Sequence, residues 1–337
     1  MTVRAAILGC SGPALTREEA AFFRDAEPWG FILFGRNVET PDQVRRLTDD
    51  LRAAVGRADA PVLVDQEGGR VARLKPPHWR RFPAPRAYGR LPAAQREEIA
   101  RLGGRLIADE LTAVGLNVDC APVLDVPDPT GHEVIGDRAY AESAVDVARL
   151  GRAAAEGLLA GGVLPVIKHM PGHGRARVDS HRELPVVDAT PDELAARDFA
   201  PFRALRDLPM AMTAHVIYAR IDPERPATTS KACFDRVIRG AIGFDGLVMS
   251  DDLAMKALSG PFAARAQQAL DAGCDVVLHG NGEMAEMRGV IDGARPLAGR
   301  AAERAVASLA RIAAPPQPFD KAEARMRFDA AFEGAYA

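Results

Sequence analysis

Three segments of this 337-residue chain gather the side chains that could do chemistry. Asp65-Gln-Glu-Gly-Gly-Arg70, with Arg73 just beyond, sets carboxylates beside guanidinium groups. Lys168-His-Met-Pro-Gly-His173-Gly leads into Asp179-Ser-His181. The third is the pair Asp251-Asp252. Carboxylates, imidazoles and an ammonium in such clusters are the equipment of acid–base and nucleophilic catalysis. Other uses of the same residues are weaker. His169, His173, Asp179 and His181 have the chemistry of zinc ligands. However, Pro171, Gly172 and Gly174 make their segment a loop without the i, i+4 pairing of a helical site, so no metal is expected. His173 reads better as a loop-ordering hydrogen-bond partner. Asp179-Ser-His181 suits no Ser/His/Asp triad, and no G-x-S-x-G elbow occurs. Gly68-Gly69 lacks the spacing of a P-loop or a dinucleotide fingerprint. It reads as a tight turn that lets Arg70 and Arg73 reach a common site, and no cofactor is expected.

The elements that must position these groups are legible. Eight short apolar runs read as strands: Ala5–Gly9, Gly30–Phe34, Pro61–Val64, Asn117–Val123, Leu164–Lys168, Pro209–Ala214, Gly246–Ser250 and Cys274–Leu278. Near-continuous apolar runs mark strands buried on both faces, as in parallel sheets. Helical patterns separate them. Thr16-Arg-Glu-Glu19, Thr40-Pro-Asp-Gln43 and Thr190-Pro-Asp-Glu193 read as capping boxes. Long helices are expected over about 93–114 and 143–160. Eight strand–helix units predict a single-domain α/β (β/α)8 barrel over residues 1–314, with residues 315–337 as a helical tail packed on it. A doubly wound open sheet is the alternative. In a barrel the active site lies at the C-terminal ends of the strands. Asp65, Asp125, the Lys168–His173 segment, His215, Asp251-Asp252 and His279-Gly-Asn281 all follow such ends, so they converge on one rim. A structural ring of salt bridges at the mouth is the competing reading.

The ordered trio VDQEGGRVARL (64–74), IKHMPGHGRARVDSH (167–181) and MSDDLAMKAL (249–258) resembles glycoside hydrolase family 3. Within it, the likeness is to the single-domain bacterial β-N-acetylglucosaminidases that recycle peptidoglycan, and it covers about residues 5–312. The resemblance implies a (β/α)8 barrel. It implies Asp251 as nucleophile, His181 as proton donor with Asp179 beside it, and Asp65, Arg73, Arg138, Lys168 and His169 as substrate-binding residues. Two departures stand out. Met170 replaces the usual Phe, and Gly174-Arg-Ala-Arg177 replaces the usual Gly-Asp-Thr. Neither touches a group assigned above, but both bear on the loop that delivers His181.

The activity so implied is retaining, exo-acting cleavage through a glycosyl-enzyme ester. The nucleophile must be ionised, which suits an Asp among cations. A histidine can serve as the acid because the ordinary imidazole pKa, about 6.5, lies near working pH. Asp-x-His keeps both side chains on one side if the segment is extended. The Gly-, Pro- and Arg-rich stretch before His181 is expected to be a mobile loop. The implied substrate is a small muropeptide fragment: N-acetylglucosamine on 1,6-anhydro-N-acetylmuramic acid, with or without stem peptide. A family-3 β-glucosidase, an N-acetylglucosaminide phosphorylase, a catalytically dead sugar-binding protein and a metal-dependent barrel hydrolase are the competing functions.

Composition agrees with a soluble enzyme. Apolar residues make up 47% and charged residues 26%, and the net charge of −3 gives no reason to expect nucleic acid or an anionic membrane as partner. No apolar run approaches the ~20 residues of a membrane span. The opening Met-Thr-Val-Arg-Ala-Ala-Ile-Leu-Gly-Cys10 has too short an apolar stretch for a signal peptide and reads as a first strand. Cys10, Cys120, Cys233 and Cys274 are widely spaced, which fits reduced thiols in a cytoplasmic protein. A monomer is expected. Only five of the 43 basic residues are lysine, and Lys168 is one of them.

Overall fold

A computed structural model describes residues 2–333. Met1 and residues 334–337, the first residue of the expected barrel and the end of the expected tail, lie outside the described residues. Eight parallel strands close into a barrel: β1 (Arg4–Leu8), β2 (Pro28–Leu33), β3 (Val62–Val64), β4 (Val118–Asp119), β5 (Leu164–Met170), β6 (Met210–Thr213), β7 (Leu247–Asp252) and β8 (Val276–His279). Each is bonded to its neighbours in sequence, and β8 closes on β1. Every residue of β2 and β5 is buried, because the strands are covered inside by side chains and outside by helices.

Each apolar run read from the sequence contains or overlaps one barrel strand. The fourth is shorter than expected. Regular strand geometry ends at Asp119, but Cys120 N–H still donates to Val64 O, Ala121 O and Pro122 O accept from Val166 and Lys168 N–H, and Val123 bridges to Lys168. The caps at Thr16 and Thr190 are complete boxes with Glu19 and Glu193. At Thr40 the hydroxyl caps Gln43 N–H, but the Gln43 amide accepts from Glu39 N–H instead, so the box is not closed.

The two long helices run over Arg96–Thr112 and Ala144–Ala160. They meet at Gly157, where a Cβ would lie 2.1 Å from Arg101 O, so only glycine permits the approach. A helix over Lys321–Ala331, capped by Asp320, lies on Arg96–Thr112. Its buried Phe328 packs on Phe82 and Tyr88 at 5.8 and 6.2 Å between ring centres. No helix among the described residues is long and apolar enough to cross a membrane.

Two register irregularities lie at the mouth. One is between Ile167 and Met170 against β6, the other between Met249 and Asp252 against β8. Such irregularities re-aim side chains. Lys168 and its neighbour His169 therefore both border the same cavity, as do Asp251 and Asp252. Strict alternation along a strand would have sent one of each pair outward.

Candidate active site

After β3 the chain turns back as a two-stranded hairpin, Gln66–Gly68 with Val71–Ala72. The turn needs Gly68. Its φ is +96°, and a Cβ there would meet Pro83 O at 2.2 Å. The buried Gln66 side chain closes the hairpin, accepting from Arg73 and Leu74 N–H and donating to Leu74 O. Arg73 thereby returns to Asp65, donating through Nη2 at 2.9 Å. Arg70 also reaches the rim, where it donates to Val134 O at 2.6 Å and pairs with Asp137.

Below the hairpin, charges alternate. Lys168 Nζ lies 2.7 Å from both Asp65 Oδ1 and Glu67 Oε1. Arg138 grips Glu67 as a fork, Nε to Oε2 at 2.8 Å and Nη2 to Oε1 at 2.7 Å. Arg138 Nη2 is 3.4 Å from His169 Nε2, and His169 Nδ1 is 2.6 Å from Asp125 Oδ2. Burial alone would raise the carboxyls of Asp65 and Glu67. Lys168 outweighs it in both, helped by Arg73 and by Arg138 respectively, and holds both below the ordinary range. Lys168 is in turn pushed up: burial lowers it, and the two carboxylates more than reverse that. This clamp is ionised and preorganised at neutral pH.

The two aspartates at the end of β7 are separated by their partners. Asp251 Oδ1 accepts the Asp252 N–H at 2.8 Å. Burial raises Asp251, but His215, His169 and that amide bring it below its usual value. Asp252 accepts from Ala254 N–H at 2.9 Å and Gly280 N–H at 3.3 Å. Burial pushes it up to about 6, and the charge of Asp251 adds to the rise. Neighbouring carboxyls driven apart in this way are fitted to different roles. His215 stands behind them, buried, with Nδ1 on Thr228 Oγ1 at 2.7 Å and Nε2 donating to Asp252 O at 3.1 Å.

The segment carrying Asp179 and His181 is a turn, so the two side chains are not brought together by strand alternation. Asp179 Oδ1 accepts both the His181 backbone N–H at 2.9 Å and Nδ1 at 2.8 Å. Burial acts to raise Asp179, but those two bonds hold it below its ordinary value. The His181 side chain is 62% exposed and borders the cavity described below.

One cavity of about 350 Å³ is bordered by all eight residues singled out from the sequence: Asp65, Arg73, Arg138, Lys168, His169, Asp179, His181 and Asp251. Ile32, Phe34, Val71, Met212, Met255 and Leu278 form its apolar wall. That is a small-molecule pocket with convergent polar groups. The departures fall around it. Met170 is fully buried at the end of β5. Arg175 is braced by Asp198 at 2.8 Å, and Arg177 is exposed.

Three residues escaped the sequence reading as site members. For Glu67 the i, i+2 spacing from Asp65 offered one signal, a shared face if the segment is extended, but not its partners. Asp125 was placed at the mouth, but its grip on His169 was not foreseeable. Asp119, under Asp65 and donated to by Gln66 N–H at 2.9 Å, is pushed up to about 7 by burial. Among the described residues no group of three or more His, Cys, Asp or Glu could hold a metal ion. His169, His173 and His181 are each turned to other partners.

A parallel barrel with ionised carboxylates, a carboxylate–imidazole pair and a cationic clamp around one cavity has the fold and groups of a barrel glycosidase. Residues 5–313 match the glycosyl hydrolase family 3 N-terminal domain. The chain belongs to glycoside hydrolase family 3 and is a hydrolase of the hexosaminidase type. It is 42% identical over 280 residues to a β-hexosaminidase of Alkalilimnicola ehrlichii, covering 81% of this chain and 79% of that one. A β-hexosaminidase of Pseudomonas aeruginosa is 42% identical over 275 residues, 81% of each chain. Among solved structures, NagZ from Neisseria gonorrhoeae in complex with N-trifluoroacetyl-D-glucosamine superposes with a TM-score of 0.84 at 32% identity, over 98% of this chain and 96% of that one. A family 3 β-N-acetylglucosaminidase from a Paenibacillus species gives 0.86 at 30% identity, over 98% and 67%.

Proposed function

We propose that this enzyme is a retaining exo-β-N-acetylglucosaminidase that releases terminal N-acetylglucosamine from peptidoglycan fragments, with 1,6-anhydro-N-acetylmuramic acid as aglycone, with or without stem peptide. The observation that carries the mechanism is that Asp251 and the Asp179–His181 pair border one cavity opposite a charged clamp. The sugar hydroxyls are bound by Asp65, Arg73, Arg138, Lys168 and His169. His181 Nε2–H donates its proton to the glycosidic oxygen as the bond to the anomeric carbon breaks. Asp251 attacks that carbon and forms the glycosyl ester. His181, now neutral, takes a proton from water, which attacks the ester and frees Asp251. Asp179 keeps the ring oriented and stabilises its charged form, as a carboxylate does beside a catalytic histidine.

The amido sugar held by the gonococcal relative supports N-acetylglucosamine as the glycone. Four free, buried cysteines suit a cytoplasmic enzyme of cell-wall recycling. One chain supplies every group named, so a monomer suffices. The test is hydrolysis of an aryl N-acetyl-β-glucosaminide by the wild type and by Asp251→Ala, with NMR of the first-formed anomer. A β product from the wild type alone is expected. An α product would overturn retention, and turnover by Asp251→Ala would overturn the nucleophile.

A further inference from the structure

The acid–base pair sits on a segment held at few points. Upstream, Tyr218 O–H donates to Gly172 O at 2.6 Å, Asp128 N–H to Gly174 O at 3.1 Å and His132 N–H to Ala176 O at 2.7 Å. Downstream, Val186–Val187 pairs with Ile217–Tyr218. Between these ends, in residues 177–184, Ser180 is the one buried residue, flanked by the partly exposed Asp179 and the exposed His181. Ser180 Oγ lies 3.0 Å from His173 Nε2. His173 is equally buried. Its backbone N–H donates to Asp125 at 2.6 Å, and its ring stands edge-on to His169 at 5.7 Å. Burial pushes the His173 imidazole down to about 4, and His169 acts in the same direction, so the ring is neutral at pH 7. Nδ1 has no hydrogen-bond partner. The contact between Nε2 and Ser180 Oγ is therefore the ring's one hydrogen bond.

We propose that His173 and Ser180 are positioning residues whose buried hydrogen bond fixes where the Asp179–His181 pair is presented to the cavity. The inference rests on reading His181 as the proton donor. The turn is a self-contained body. Asp179 binds His181 through side chain and backbone, and the Arg182 and Glu183 N–H groups donate to Asp179 O. Such a body moves as a unit about its one buried point. General acid catalysis needs the donor within hydrogen-bond reach of the leaving oxygen, and small misplacements are costly. The bond also ties the acid to the sugar-binding wall, because Asp125 receives both the His173 N–H and the His169 ring.

The test is kcat/KM over a series of N-acetyl-β-glucosaminides, from dinitrophenyl to alkyl aglycones, for wild type, Ser180→Ala, Ser180→Thr, His173→Phe and His181→Ala. Melting temperature is read in parallel. Ser180→Ala and His173→Phe are expected to lose about tenfold or more on basic leaving groups, and under about threefold on dinitrophenol, with a shallower slope than His181→Ala. Ser180→Thr, which keeps the hydroxyl, restores most of the loss. A uniform loss for every aglycone, or none, would show the bond to be structural only and overturn the proposal. A steep His181→Ala with a flat Ser180→Ala overturns the positioning role alone. A flat His181→Ala overturns both the proton donor and its anchor.

Discussion

Asp179 holds His181 at two points, its Oδ1 accepting both the ring Nδ1–H at 2.8 Å and the backbone N–H at 2.9 Å. The pair is thus assembled within one turn, with Nε2 left outside the Asp179 contact. Asp179→Ala should therefore behave as a weaker copy of His181→Ala. Both should depress kcat/KM most for basic leaving groups, His181→Ala by about 10²-fold or more and Asp179→Ala by about tenfold. The same slope against leaving-group pKa for wild type and Asp179→Ala would remove Asp179 from the mechanism.

Asp251 and Asp252 both border the cavity, but only Asp252 is tied to backbone N–H groups beyond β7, those of Ala254 and Gly280. Asp251→Ala should lose turnover by several orders of magnitude, whereas Asp252→Asn, which keeps an acceptor for those amides, should retain most of it. Mass spectrometry after trapping with a fluorosugar should find the label on Asp251; a label on Asp252 would reverse the roles.

The same pair predicts a pH effect. Asp252 rises from an ordinary 3.8 to about 6 in the fold, chiefly through burial. The folded form binds this proton more tightly than the unfolded chain, so stability from this group is lost as pH rises toward 6 and stays lost above it. Asp252→Asn removes the ionisation. Its stability relative to wild type should increase by about 1 kcal/mol between pH 5 and pH 8 in urea unfolding. No change with pH would mean that Asp252 titrates normally.

Glu67 is the shared anion between Lys168 and Arg138. Glu67→Gln leaves two buried cations with one fewer counter-charge. It should cost about 3 kcal/mol in unfolding free energy and raise KM, because both cations bordering the cavity lose their anchor. A variant as stable as wild type with unchanged KM would show the clamp to be held by Asp65 alone.

Hydrogen exchange should divide the loop before and after Ala176. The Gly172, His173 and Ala176 N–H groups donate to His169 O, Asp125 Oδ1 and His173 O, whereas those of His181, Arg182 and Glu183 donate only to Asp179 within a largely exposed turn. Protection is expected over 172–176 without ligand, and over 177–184 only when an N-acetylglucosamine-like inhibitor is bound. Rapid exchange throughout 172–184 would restore the wholly mobile loop that its glycines and prolines suggested.

The barrel was legible because eight doubly buried strands cannot avoid apolar runs, and because Thr-x-x-Glu caps announce helices locally. The rim was legible by the same route, since residues that follow such runs lie at strand ends. All eight singled-out side chains do border one cavity. Glu67 and His173 were harder. Glu67 is recognisable as a hub only once Lys168, about a hundred residues later, is laid beside it. His173 acquires a task only when the loop folds back to bring Ser180 within 3.0 Å.

Sequence by itself determined the eight strand–helix units, the carboxylates, imidazoles and cations available, and their place at one end of the barrel. These follow from local periodicity and from which residue types can be buried. Tertiary structure alone decided that Asp251 and Asp252 border one cavity, that Asp179 grips His181 in a turn, and that Lys168, Glu67 and Arg138 form one charge network. The reason is physical: register shifts, hydrogen bonds and charge pairing join residues far apart in the chain, and their energies depend on distances that no single segment contains.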